Sequence, residues 1–279
     1  MIAIEWAKQV RRPLGWTVLA VMAGIPILLT AVIGLTEPTL PERVGDFGSV
    51  VTDQSGLTMP LVALNAMVLF LLPLAVAIFA GQAVAGEAGW GSLRYLCARP
   101  ISRSRLLLAK AAVAAAYAGA AVLACVVAAL VAGVVAFGWR PLTVVDLEGT
   151  TPFWVAGATF TPAVAVGHLA LATAIVACSL TSTFAFGIFL STLTRSAFAA
   201  AAGAVGLGIV SQALANIPIL SWLGPWLPMT DGTTTLWAGV FTSPATLGGL
   251  PHLVAVQASY SALFLVAAWW GFRRRDILW

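Results

Sequence analysis

The chain has 279 residues, 61% of them hydrophobic and 9% charged, with a formal net charge of +4. Mean hydropathy is +0.99, whereas an average soluble domain carries about 25% charged residues. A soluble fold is excluded. The composition predicts an all-α integral membrane protein, and no loop exceeds about 35 residues, so no soluble domain fits between spans.

The first element predicted is a short amphipathic helix over residues 1–13. Ile2, Ala3, Trp6, Ala7 and Val10 share one face, and Glu5, Lys8, Gln9 and Arg12 lie opposite. Pro13 stops it, because the residue before proline avoids the helical region. Such a helix would lie in the membrane interface. A plain basic flank anchoring the first span is the simpler reading of the same residues.

Six apolar runs follow, each long enough to cross about 30 Å of hydrocarbon. They cover about 15–36, 61–84, 106–138, 163–191, 197–220 and 253–272, in a single transmembrane domain spanning 1–279. The first lacks a small-x-small cleavage site and is expected to be a retained span rather than a signal peptide. Pro26 and Pro73 should kink the first two spans. No Asp, Glu, Lys or Arg lies mid-run. That absence removes the usual machinery of a proton relay and suits a pathway for apolar or amphipathic cargo.

With six spans the two termini share a side. Twelve of the fourteen Lys and Arg residues fall there, with three acids, for a net +9; the other side carries −5. Basic loops stay cytoplasmic, so both termini and the 86–105 loop are expected inside, in a multi-pass plasma (inner) membrane protein. The basicity reflects topology, and no nucleic-acid partner is expected. Cys97, Cys125 and Cys178 read as small buried residues rather than a disulfide framework. The external loop 221–252 is punctuated by Pro225, Pro228, Pro244 and Pro251, with an apolar stretch from Leu236 to Phe241. It suits either a short re-entrant piece or an ordered loop.

Motifs for soluble chemistry are missing. There is no GxxxxGK[ST] phosphate loop, no GxSxG elbow, and no HExxH, and His168 and His252 stand far apart. No catalytic residue, bound cofactor or metal is expected on this chain.

The most informative stretch is 86–110, GEAGWGSLRYLCARPISRSRLLLAK, with five of the fourteen basic residues. Trp90, Leu93 and Cys97 recur at helical spacing, Pro100 ends that segment, and Ser102 is placed to cap the next helix. These residues resemble the ABC type-2 permeases, the six-span membrane subunits of ATP-driven exporters. The family's loop after the second span reads GE…GTL…L…RP(V/I)SR…LL…K. Here it stands as Gly86-Glu87, Gly91-Ser92-Leu93, Leu96, Arg99-Pro100-Ile101-Ser102-Arg103, Leu106-Leu107 and Lys110, with Ser92 replacing the usual threonine. An STLTRS turn (191–196) and an RRRDIL tail (273–278) extend the likeness.

The resemblance implies a cytoplasmic coupling helix seated on a separate ABC ATPase subunit, two copies per complex, which would bind ATP and Mg. A second permease subunit, identical or homologous, would complete the pathway. Glu87, Gly91, Leu93, Arg94, Pro100, Ser102 and Arg103 would transmit nucleotide-driven motion, with Glu87 as a hinge or ion-pair residue. Asn65, Ser211, Gln212 and Asn216 would line a pathway, although interhelical hydrogen bonding accounts for them equally. Ala199, Gly203, Gly206 and Gly208 lie at small-xxx-small spacing, which suits a dimer interface, a mobile gate or plain packing. The implied activity is export of a drug, antibiotic, lipid or lipid-linked molecule. The Ala/Gly/Val/Arg-rich makeup hints at a GC-rich bacterial genome. A non-transporting anchor or sensor that recruits a soluble ATPase, and an integral-membrane lipid-modifying enzyme, are the alternatives.

Overall fold

A computed structural model describes residues 1–36, 55–89, 102–144, 158–230, 236–242 and 244–274. The helices are α1 (Ile2–Val10), α2 (Pro13–Thr36), α3 (Met59–Val68), α4 (Leu71–Gly89), α5 (Arg103–Phe137), α6 (Pro162–Ser179), α7 (Thr181–Leu193), α8 (Ala197–Ala215), α9 (Gly239–Thr242) and α10 (Leu250–Arg274). Among the described residues six segments are long and apolar enough to cross a membrane. Helix is what such sequences must form in hydrocarbon, because each backbone N–H and C=O has to be satisfied within its own segment. Among the described residues the fold is all-α apart from one antiparallel ribbon, β1 (Leu142–Val144) with β2 (Ala158–Phe160), in register Leu142 to Phe160.

The second span is not one helix over 61–84. It is split at Leu69–Phe70 into α3 and α4. Pro73 is the cause: it cannot donate to the Leu69 carbonyl and its ring crowds that turn, so the chain restarts and Pro73 occupies the new first turn, where no N–H is needed. Pro26, by contrast, sits inside an unbroken α2, and Thr30 Oγ1 donates to the Pro26 carbonyl at 2.9 Å. The fourth apolar segment divides at Leu180 into α6 and α7, although Phe184 N–H still reaches the Leu180 carbonyl.

The α3–α4 pair forms the centre of the bundle. Met59, Leu64, Met67, Leu72, Ala77, Ala80, Val84 and Ala85 are each 0–1% exposed, while α2, α8 and α10 present long apolar faces outward. Two devices let the central helices approach closely. A Cβ on Gly56 would overlap the Gly133 backbone of α5, and one on Gly187 would lie 2.7 Å from Ala80 Cβ. The loop after α8 starts on the surface, with Ile219, Trp222 and Trp226 exposed, and then turns inward. Met229, Trp237, Val240 and Phe241 are buried in the main core, so the apolar stretch of 236–241 and its short α9 fill the outer end of the bundle.

Candidate functional site

One end of the bundle gathers α1, the end of α4, the start of α5, the turn between α7 and α8, and the end of α10. At this end lies a buried ionic junction. Lys110 of α5 has a side chain only 2% exposed and Glu87 of α4 one 4% exposed. Lys110 Nζ lies 2.5 Å from Glu87 Oε2 and 3.0 Å from Glu5 Oε2 of α1. Lys8 Nζ bridges both acids, 3.3 Å from Glu5 Oε1 and 3.3 Å from Glu87 Oε1. Arg12 completes the set at 3.8 Å from Glu87 Oε1. Removing a charge from water costs several kcal/mol unless close partners offset it, and three cations on two carboxylates supply those partners. The junction surrounds a cavity of about 20 Å³.

The amphipathic first helix docks on the bundle through this junction. Its polar face is turned to the protein, with Glu5 buried, while Ile2, Ile4, Trp6 and Val10 are exposed. Charged partners on α4 and α5 draw it inward, and the apolar face stays largely open apart from Trp6, whose ring lies 5.4 Å from that of Tyr117. Burial acts to raise the Glu5 pKa, but the charge and hydrogen bond of Lys110, helped by Lys8, outweigh it and hold the carboxyl below its ordinary 4.5. A depressed carboxylate pKa stabilises the docked helix above the ordinary value, and that contribution is lost as pH falls through the depressed one. Hydrogen exchange across residues 2–10, corrected for intrinsic rates, should therefore show protection at neutral pH that declines below pH 4.5. Glu5→Gln should show weak protection at both. A wild-type profile flat to pH 3 would contradict the docking.

The other side of α4 is clamped to the α7–α8 turn. Ser191 Oγ, fully buried, accepts from the Val84 N–H and the Ala85 N–H, each at 2.9 Å. A Cβ at Gly81 would lie 2.8 Å from the Ala197 carbonyl oxygen, and one at Gly89 would lie 2.8 Å from that of Arg195. The STLTRS turn therefore lies backbone against backbone on the exit of α4. The start of α5 is tied to the end of α10, where Trp269 Nε1 donates to Ser104 Oγ at 3.0 Å and Arg103 Nη1 to the Arg273 carbonyl at 3.0 Å.

Of the coupling residues expected from sequence, Glu87, Ser102 and Arg103 are in place at this end, and Gly91, Leu93, Arg94 and Pro100 lie outside the described residues. Ser102 occupies the position before α5, but its hydroxyl makes no cap. Its carbonyl accepts from Leu106 N–H at 3.1 Å, and the exposed side chain points away. Ser196 does cap α8, accepting from Ala199 N–H at 3.2 Å. Lys110, Glu5 and Ser191 were not singled out as site residues. Lys110 reads in sequence as one more flanking basic residue. Its place inside the helix, seven residues past Arg103 on the face of Leu107 and Ala114, was the available signal.

The polar residues expected along a pathway separate. Gln212 and Asn216 line a cavity of about 370 Å³ with Leu69, Phe70, Pro73 and Met229, beside the break between α3 and α4. Gln212 Oε1 is buried there without a hydrogen-bond partner among the described residues. Asn216 Nδ2 donates to the Gln212 carbonyl at 2.9 Å. Ser211 is turned onto its own helix, its hydroxyl on the Leu207 carbonyl at 2.8 Å, and neither it nor Asn65 lines this cavity. The small residues of α8 also divide. Gly203 accommodates Leu190 and Gly208 accommodates Met229, whereas Gly206 faces open space and Ala199 is exposed.

Comparison with protein-family models matches residues 1–201 to the ABC-2 family transporter protein model. No curated protein matches the chain. The matched region includes α1, the ionic junction, the STLTRS turn and the first turn of α8. A helical bundle with six segments fit to cross a membrane, matched over most of its length, belongs to the ABC-2 transporter family and is a membrane-spanning permease subunit of an ABC transporter.

Proposed function

We propose that this permease exports a hydrophobic or amphipathic molecule from the cytoplasm or inner leaflet, driven by an ATPase bound to the 86–105 loop. The observation that carries this reading is the ionic junction. Glu87 stands at the start of that loop and Lys110 just after it, and the two are 2.5 Å apart. Any displacement of the loop must pass through residues 87–89 and 102–110, which are bound to each other, to α1 and to the α7–α8 turn. A push on the loop would therefore move α1, α4 and α5 as one body. The far end of that body carries the break at Leu69–Phe70 and the 370 Å³ cavity. Alternating access then consists of two arrangements of these helices, biased by nucleotide on the partner.

The cavity fits the proposed cargo. Its lining among the described residues is aliphatic and aromatic apart from the Met229 thioether and two amides, with no ionisable group. Its volume lies within the about 300–1,000 Å³ usual for small-molecule sites. Two such chains, identical or homologous, would enclose the pathway, with two ATPase subunits on the side of the termini. The chain itself would perform no chemistry; ATP and Mg would be held by its partner.

The test is purification of the tagged chain from its native membrane in mild detergent, followed by mass spectrometry. A stoichiometric P-loop ATPase that is lost on Leu93→Asp or Arg103→Glu is the expected result. A chain that purifies alone, indifferent to both substitutions, would refute the coupling reading. An ATPase that stays bound while Glu87→Gln leaves all export intact would favour a non-transporting anchor.

A further inference from the structure

The end of α10 carries two tryptophan–arginine stacks that the transport reading does not use. Arg273 Cζ lies 4.7 Å over the Trp269 ring, and Arg274 Cζ lies 4.1 Å over the Trp270 ring. Both guanidinium groups are exposed, and no carboxylate pairs with either among the described residues. The rings beneath them are also open, at 40% for Trp269 and 54% for Trp270.

A guanidinium held over an indole face is partly ordered already, so less freedom is lost when it binds an oxyanion. The apolar surface below decides what sort of anion fits. Leu263, Val266, Trp270 and Arg274 fall at i, i+3, i+7 and i+11, on one face of α10, with Leu263 61% and Val266 63% exposed. Beside this face runs a second, formed by Leu265, Trp269 and Arg273. Each face is an aliphatic strip leading to an indole and then to a guanidinium. This is the profile of a phospholipid read from acyl chain to phosphate. A soluble anion would need the arginines and have no use for the strip.

The remaining contacts hold the platform in place. Trp269 Nε1 is fixed by Ser104, and the Arg273 backbone carbonyl is held by Arg103. Neither contact uses the Arg273 or Arg274 side chain, and among the described residues both guanidiniums stay open to a ligand.

From this geometry we infer that the Trp269–Arg273 and Trp270–Arg274 stacks bind the phosphate headgroup of an anionic phospholipid, in the leaflet on the side of the chain termini. Such a lipid would sit against the joint between α10 and the start of α5, where it would brace that joint. The inference does not depend on the identity of the cargo or on any ATPase.

The test is native mass spectrometry of the full chain in detergent with equimolar phosphatidylglycerol and phosphatidylcholine. The wild type should retain phosphatidylglycerol preferentially. Arg273→Gln with Arg274→Gln should reduce that retention about tenfold and leave phosphatidylcholine unchanged. Trp270→Leu, which keeps both charges and the apolar strip, should reduce it about threefold by removing one ring. Arg11→Gln with Arg195→Gln removes the same charge elsewhere at this end and should leave the preference intact. Three results would overturn the inference: equal retention of the two lipids by the wild type, an equal loss in both double variants, or displacement of phosphatidylglycerol by glycerol phosphate. The second would mean a diffuse basic field, and the third a site for soluble phosphate.

Discussion

Lys110→Met should destabilise the chain more than any substitution on its surface. The methionine matches the lysine in length, so packing is nearly kept, but Glu5 and Glu87 are left to share Lys8 and Arg12, which are 38% and 23% exposed. Breaking a buried ion pair from one side costs about 3–5 kcal/mol. Heat denaturation in detergent, followed by circular dichroism, should show the midpoint falling steeply. Adding Glu87→Leu to Lys110→Met should recover part of the loss, because the second change removes the carboxylate that the first left without its closest cation. That sign of non-additivity separates a coupled ionic cluster from two independent contacts. Equal midpoints for wild type and Lys110→Met would mean that water reaches the junction freely.

A second large effect is expected from one methyl group. Gly133 of α5 crosses the start of the second span at Gly56, and a Cβ there would overlap the Gly56 carbonyl oxygen and lie 2.7 Å from Met59 Cβ. The obstruction is partly backbone, which cannot rotate aside. Gly133→Ala should therefore cost about 3 kcal/mol, the upper end of ordinary overpacking. Gly119→Ala in the same helix is the matched control, because nothing lies within 4 Å of its Cβ. It should be neutral or raise stability by about 0.5–1 kcal/mol by restricting the unfolded chain. The pair is read by the same denaturation assay, and two equal shifts would contradict the close crossing.

Fold class and family were legible because both rest on patterns that persist along the chain. Long apolar runs report spans, and the 86–110 motif reports the family over a contiguous stretch. The details that went unread depend on residues distant in sequence. The first helix shows two faces in any helical projection, but which face meets protein depends on Glu87 and Lys110, 82 and 105 residues beyond Glu5. Ser191 is an unremarkable serine until Val84 and Ala85 are brought beneath it. Pro73 was read as a kink, and whether proline bends or breaks a helix is set by what packs around it. Ser102 fits the capping pattern by type and position, yet its rotamer leaves the hydroxyl outside the helix end.

The ionic junction also imposes an order on biosynthesis. Glu5 is made 105 residues before Lys110. At about 5–20 residues per second the interval is roughly 5–20 s. Until then α1 has no cation on α5 to dock against, and its charged face stays hydrated while two spans are inserted ahead of it. Closure of the junction thus records that the third span has been delivered with its lysine at the correct depth. A span inserted one turn out of place would take Lys110 from Glu5 and Glu87 and leave both acids to the more exposed Lys8 and Arg12.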